Sequence, residues 1–191
     1  MFRCSCNRKD ILAAAAAPQE GGTPTIGPDG IIYPGTCRSD CSGPMPEQAA
    51  LRLNMALAAP DRVFSFTETG AGPEGQTGLI TFKSADILTH IGDIVLARRY
   101  MGTSYHLSVV LDDAAQGISH VVRGQDLFEA TKIHVFLQHL LGLPTPVYHH
   151  HKLIRDEDGK RLAKRDQARA ISKYRDDGLS PRDVRELVGL S

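Results

Sequence analysis

With 191 residues, 41% of them hydrophobic and 23% charged, the chain has the make-up of a soluble globular protein: one ordinary domain with room for a small satellite. Its 22 basic residues balance 22 acidic ones, so no global positive field announces nucleic acid, and any RNA contact would need local patches. No run approaches the roughly 20 apolar residues of a membrane span, and "MFRCSCNRKD" lacks a secretory layout. A cytoplasmic protein without membrane attachment is expected, its four cysteines reduced.

Residues 1–46 hold all the cysteines and most of the Gly/Pro punctuation, and read as a loop-rich module that needs a staple. Within it "ILAAAAA", followed by Pro18, reads as the end of a helix. A connecting region over 47–103 comes next. "EQAALRLNMALAA" (47–59) has helical spacing, and "RVFSF", "GLITF" and "DIVLARRY" are short β-type runs between turn residues. From 104 to 191 the pattern is that of an α/β body with a helical end. "SYHLSVVLDDAA" fits helix or strand and is assigned to helix by its length. "ISHVVRG" reads as a buried strand closed by Gly124. Leu127, Ile133, Phe136, Leu137, Leu140 and Leu141 then mark an amphipathic helix that stops at Gly142. After the extended run "LPTPVYHHHKLI" come a turn, "KRLAKRD" and two short helical segments. Ser180-Pro181 caps the second of these.

Five constellations are candidates for chemistry. Cys4 and Cys6 lie on one side of a Gly/Pro-rich loop, with Tyr33, Cys37 and Cys41 on the other. Thiolates are soft ligands suited to tetrahedral zinc, so a structural zinc staple is one reading and ordinary reduced cysteines the other. On ligand chemistry alone Cys41 would be the fourth donor, because thiolate outcompetes phenol. "DGKRLAKRD" presents Lys160, Arg161, Lys164 and Arg165 on a tip suited to phosphate, or simply solvated. Arg123 ends an apolar strand, where open α/β sheets bind ligands; a structural ion pair with Asp126 is the alternative. Asp112-Asp113 reads as a helix end. His149, His150 and His151 alternate faces on an extended run and cannot share one ion.

Taken in order, "CSC" with "YPGTCR", the block "HVVRGQDLFEAT", "PVYHHHKL" and "DGKRLAKRD" resemble the glutamyl/glutaminyl class I aminoacyl-tRNA synthetases. The resemblance is nearest to the family's short glutamyl-Q branch. It implies a partial Rossmann-type catalytic domain with a small zinc-binding-like insertion and a helical C-terminal end. It also implies a ligase that activates L-glutamate with ATP and Mg2+ and transfers it to queuosine in the anticodon of tRNA(Asp), working as a monomer. Under it Tyr105 and Arg123 bind glutamate. Arg161, Leu162, Ala163, Lys164 and Arg165 stand for the ATP-binding KMSKS loop, with Lys164 as its catalytic second lysine. Arg161 keeps the charge of the first lysine, whereas Ala163 loses the hydroxyl of the serine. Cys4, Cys6, Tyr33 and Cys37 take the zinc positions, which overrides the argument for Cys41.

"HIGD" (90–93) is one letter from the family's ATP-binding His-Ile-Gly-His. That signature opens a helix so that its N–H groups meet phosphate, whereas "HIGD" precedes a strand-like run and is read as coincidence. The true motif is expected in a segment before Phe2, and the chain alone is expected to be unable to form glutamyl-adenylate. Exposed sheet edge and apolar surface would make it poorly soluble. A non-catalytic, zinc-stapled tRNA- or partner-binding remnant and a fragment of a glutamyl-tRNA synthetase are the competing expectations.

Overall fold

The computed structural model describes residues 1–16, 23–39, 49–59, 61–100, 102–155, 159 and 170–190. Its two compact units are Met1–His151 and Lys152–Ser191.

The first unit opens with β1 (Phe2–Cys4) and α1 (Arg8–Ala15), the latter started by a capping box between Asn7 and Asp10. β2 (Ile26–Gly27) and β3 (Gly30–Ile31) form a hairpin around Pro28-Asp29. β4 (Ala50–Arg52) leads into the single turn of α2 (Met55–Ala58), and β5 (Val63–Glu68) pairs antiparallel with β6 (Gly78–Lys83). Then follow α3 (Ser84–His90), β7 (Val95–Arg98), β8 (Gly102–Thr103), α4 (Tyr105–Ala115), β9 (His120–Gly124), α5 (Phe128–Leu141) and β10 (Val147–His151). One sheet is antiparallel, in the order β1-β4-β7-β8; the other is mixed, in the order β6-β5-β10-β9.

The element that places the site is β9-α5-β10, two parallel strands joined by a helix. Its register sets Arg123 beside His150, and the parallel pairing of β10 with β5 sets Tyr148 beside Glu68. α5 lies over the mixed sheet. Phe136 meets Phe64 edge-on with ring centres 5.5 Å apart, while Phe66 meets Phe128 at 5.9 Å and Tyr148 at 5.5 Å. Edge-to-face rings of this kind add to the area each buries. α5 ends as expected at Gly142, whose φ of 66° suits a residue without a Cβ.

Two expectations change. The helical spacing over 47–59 yields to a strand at Ala50–Arg52, because that segment pairs with β1 on one side and β7 on the other; residues 47 and 48 lie outside the described residues. Tertiary pairing outweighs alanine-rich helix propensity here, and only the turn capped by Asn54 stays helical. The apolar run of β9 predicts a buried strand, but among the described residues β9 is a sheet edge. Val121 reaches the core while Val122 is 67% exposed. Such a run implies cover on both faces of a parallel strand, and among the described residues β9 has it on one.

The second unit holds α6 (Ile171–Asp176) and α7 (Pro181–Leu187), the latter capped by Ser180 with Pro181 in its first turn. Among the described residues, no helix is long and apolar enough to cross a membrane.

Candidate functional site

Arg123 lies at the centre of a buried polar cluster beneath the C-terminal end of the parallel strands. Its Nε–H donates to His150 Nε2 (3.1 Å), Nη1 to His134 Nδ1 (3.0 Å) and Nη2 to Thr131 Oγ1 (2.5 Å). Its guanidinium also sits 5.1 Å above the centre of the Tyr148 ring. Burial pulls its pKa down, opposed by Tyr148 and Tyr105, yet an arginine starts so high that it stays a cation. Three of its five N–H bonds are thus engaged, and the Tyr105 phenol lies beside the guanidinium. Tyr105 stands at the first turn of α4, 49% exposed, its ring against those of His106 and His134.

Because arginine only donates, its contacts fix the protons on the neighbouring imidazoles. His150 accepts at Nε2, so its proton is on Nδ1 and is donated to Glu68 Oε2 at 2.5 Å. Glu68 Oε1 accepts two backbone N–H groups, from His150 and Gly70, both at 2.8 Å. Burial works against this carboxylate, but those three bonds reverse the effect and hold its pKa below the ordinary value. Burial, joined by the Arg123 and His149 charges, lowers the His150 pKa against the opposing pull of Glu68. Both shifts agree with a carboxylate facing a neutral imidazole.

A second chain leaves Arg123 in the other direction. His134 accepts at Nδ1 and therefore donates from Nε2 to His106 Nδ1 (3.0 Å); His106 Nε2 then faces Asp29 Oδ1 at 3.4 Å. Burial first and the Arg123 charge second push the His134 pKa down to about 3, so it is neutral. For Asp29, burial raises the pKa, but the His106 hydrogen bond and the Arg98 and Arg52 charges carry it below its ordinary value. Among the described residues no carboxylate accepts a hydrogen bond in the contacts of the Arg123 guanidinium. The cation stays available to an incoming carboxylate, which its fork can bind bidentately.

The cysteine-rich module makes a second cluster. The Sγ atoms of Cys4, Cys6 and Cys37 all lie within 4.8 Å of one another, Cys6 and Cys37 being 3.5 Å apart. A tetrahedral zinc with bonds of ~2.3 Å sets sulfurs ~3.8 Å apart, so the three fit one small ion. The Tyr33 phenol is 4.0 Å from Cys6 Sγ and accepts the Cys37 N–H at 2.8 Å. Burial raises the Cys6 thiol to about 11 and also raises the Tyr33 phenol. At Cys37 burial is outweighed by hydrogen bonds from Tyr33 and the Ser5 backbone, and its pKa falls to about 7. This cluster could hold a metal. Cys41 lies outside the described residues, as do Lys160, Arg161, Leu162, Ala163, Lys164 and Arg165 of the cationic tip.

"HIGD" closes α3 instead of opening a helix. The N–H groups of Ile91 and Gly92 both bond to the Ile87 carbonyl, and Gly92 has a left-handed φ of 67°. Asp93 is buried, where it accepts Arg38 Nε at 2.7 Å and the Met55 N–H at 2.9 Å. Its role is structural. The histidine run alternates as expected, with only His150 fully buried.

Sequence patterning does not single out Glu68, Asp29, His106, Thr131 or His134. The available signal is Glu68, a charge on the buried face of an otherwise alternating strand, Phe64-x-Phe66-x-Glu68. The others have no local signature.

The family described as "tRNA synthetases class I (E and Q), catalytic domain" matches residues 75–190. A glutamyl-Q tRNA(Asp) synthetase of Rhodobacter capsulatus is 60% identical over 194 residues, covering 100% of this chain and 67% of that protein. The protein of the same name from Burkholderia cenocepacia is 34% identical over 186 residues, covering 94% of this chain and 53% of its own length. Among solved structures, a glutamate-tRNA synthetase from Elizabethkingia anophelis superposes with a TM-score of 0.59 at 19% identity. That match covers 93% of this chain and 34% of that one, a likeness of fold. The chain thus spans about half to two thirds of the curated relatives it matches.

Proposed function

We propose that this chain, which belongs to the class I glutamyl/glutaminyl tRNA synthetase catalytic-domain family, supplies the amino-acid-binding part of a ligase that activates L-glutamate with ATP. The glutamyl group then passes to queuosine in the anticodon of tRNA(Asp). The observation that carries this is Arg123: a half-buried cation, held by His150, His134 and Thr131 and facing Tyr105, with no carboxylate bonded to it among the described residues. A carboxylate of the substrate completes that coordination, and Tyr105 closes over it. The substrate's other carboxylate attacks the ATP α-phosphate and breaks the α–β phosphoanhydride bond, so that pyrophosphate leaves and glutamyl-adenylate forms, to release AMP when the glutamyl group is transferred. The Lys164 ammonium of "RLAKR" neutralises the charge that develops at the phosphate. The loop assignment, Arg161 to Arg165, rests on sequence. Mg2+ accompanies the ATP. The names of the relatives support tRNA(Asp) as acceptor.

In this reading Cys4, Cys6, Cys37 and the Tyr33 phenol hold a zinc ion. Held there, an ion would tie β1 to the loop after β3, where the apolar cluster among the described residues is Phe2, Cys4 and Tyr33 with Cys6, Ile11 and Cys37 around them.

The test is glutamate-dependent ATP–pyrophosphate exchange, followed by charging of tRNA(Asp) with and without queuosine, on the chain as it stands and on any longer polypeptide that contains it. Arg123→Lys keeps the charge but loses the fork, and should lower kcat/KM for glutamate about 30- to 150-fold. Exchange indifferent to Arg123→Lys would sink the site assignment. Charging of tRNA(Glu) in place of tRNA(Asp) would move the assignment to a glutamyl-tRNA synthetase.

A further inference from the structure

We propose that Asp29 of the cysteine-rich module is a positioning residue for Arg123, acting through His106 and His134. This rests on the reading of Arg123 as the glutamate-binding residue.

The geometry points to it in three ways. Arg123 is held by two arms that grip different nitrogens: His150 on Nε and His134 on Nη1. A planar guanidinium fixed at two nitrogens cannot swing about its Cδ–Nε bond, so the face it turns to Tyr105 keeps a set direction. Each arm also ends on a carboxylate, through neutral imidazoles whose protons run one way only, from the cation outward. The arm through His150 ends at Glu68 inside the sheet. The other arm crosses from α5 to α4 and ends at Asp29 in the β2–β3 turn. Finally, the hairpin is seated firmly enough to serve as an anchor. A Cβ on Gly27 would collide with the His90 carbonyl, and one on Gly92 would lie 2.7 Å from Ile32 Cγ2. Two carboxylates held one imidazole or two away balance the cation without occupying its fork. A carboxylate in direct contact would compete with the substrate for the same N–H bonds. The cysteine-rich module therefore does more than hold itself together, because it sets the aim of the substrate-binding arginine.

Asp29 lies on an exposed turn with its side chain 41% accessible, so it can be changed without opening the core. The experiment uses the 15N-labelled 191-residue chain, with L-glutamate as probe. Long-range 1H–15N spectra report the tautomers of His106 and His134, and solvent exchange reports the Arg123 Nε–H. In the wild type both histidines should carry the proton on Nε2. In Asp29→Ala, His106 should become a tautomer mixture and the Arg123 Nε–H should exchange at least about tenfold faster. L-Glutamate should then bind about three- to tenfold more weakly, as one modest hydrogen bond predicts. Asp29→Glu should restore both. Unchanged histidine and arginine signals in Asp29→Ala would overturn the relay. Glutamate binding that is lost in Arg123→Lys but untouched in Asp29→Ala would overturn the positioning role alone. Should L-glutamate move no Arg123 signal in the wild type, the glutamate reading fails, and the role that rests on it fails too.

Discussion

Glu68→Gln tests the charge state of the buried cluster most directly. Glu68 is fully buried and accepts three hydrogen bonds, two from backbone N–H groups and one from His150 Nδ1. A glutamine can keep the backbone pair on its carbonyl oxygen. Its NH2 then faces the His150 Nδ1–H, donor against donor. Moving the His150 proton to Nε2 only transfers the clash to the Arg123 Nε–H. One buried donor must therefore go unpaired, and the cation loses a counter-charge. Losing one partner of a buried charged network costs about 3–5 kcal/mol, and retention of the backbone bonds brings the expectation to about 2–4 kcal/mol. For a chain of this size that is a fall in Tm of roughly 5–12 °C. The pH dependence has a definite sign. The pKa of Glu68 is lowered by folding, so its contribution is complete above the unfolded value of about 4.3 and fades as pH falls through the folded value. Glu68→Gln should therefore lose stability less steeply than the wild type as pH falls below about 4. Guanidinium unfolding at pH 7 and across the acid limb gives both numbers. A variant within about 0.5 kcal/mol of wild type at pH 7, with an unchanged acid limb, would refute the assignment of Glu68 as an ionised anchor for His150.

Two other changes probe the rest of the unit. Tyr33→Phe should weaken zinc binding by at least about tenfold while Cys41→Ser leaves it unchanged, measured by competition with a chromogenic chelator; the reverse pattern makes Cys41 the fourth ligand. Gly92→Ala combines a left-handed φ with a 2.7 Å clash against Ile32 Cγ2 and should cost about 2–4 kcal/mol in chemical denaturation. A neutral result would mean that the α3 stop and the segment just after β3 are not held together.

Much of the secondary structure is legible because its causes are local. Gly142 past an amphipathic run, Ser180 before Pro181, and alternation in "RVFSF" each act within a few residues. The segment 47–59 misleads because its local preference is helical and its strand partners, β1 and β7, lie some forty residues away on either side. β9 misleads for a related reason. Its apolar run records what a strand can bury, not whether a neighbour is there to cover it.

The same division runs through the site. The sequence by itself determined the residue types with distinctive chemistry: the Cys4, Cys6 and Cys37 thiols, and Arg123 at the end of an apolar strand. The order of its motifs also carried the family resemblance. Only the tertiary structure decided how Arg123 is held, because its partners come from the end of β10, the middle of α5 and, through α4, a turn in the cysteine-rich module. A hydrogen bond is settled within a few tenths of an ångström, and nothing in the spacing of Asp29, Glu68, His106, His134 and His150 along the chain sets that distance. The register of β10 between β5 and β9 does so for Glu68 and His150, and the meeting of α4, α5 and the β2–β3 turn does so for the others.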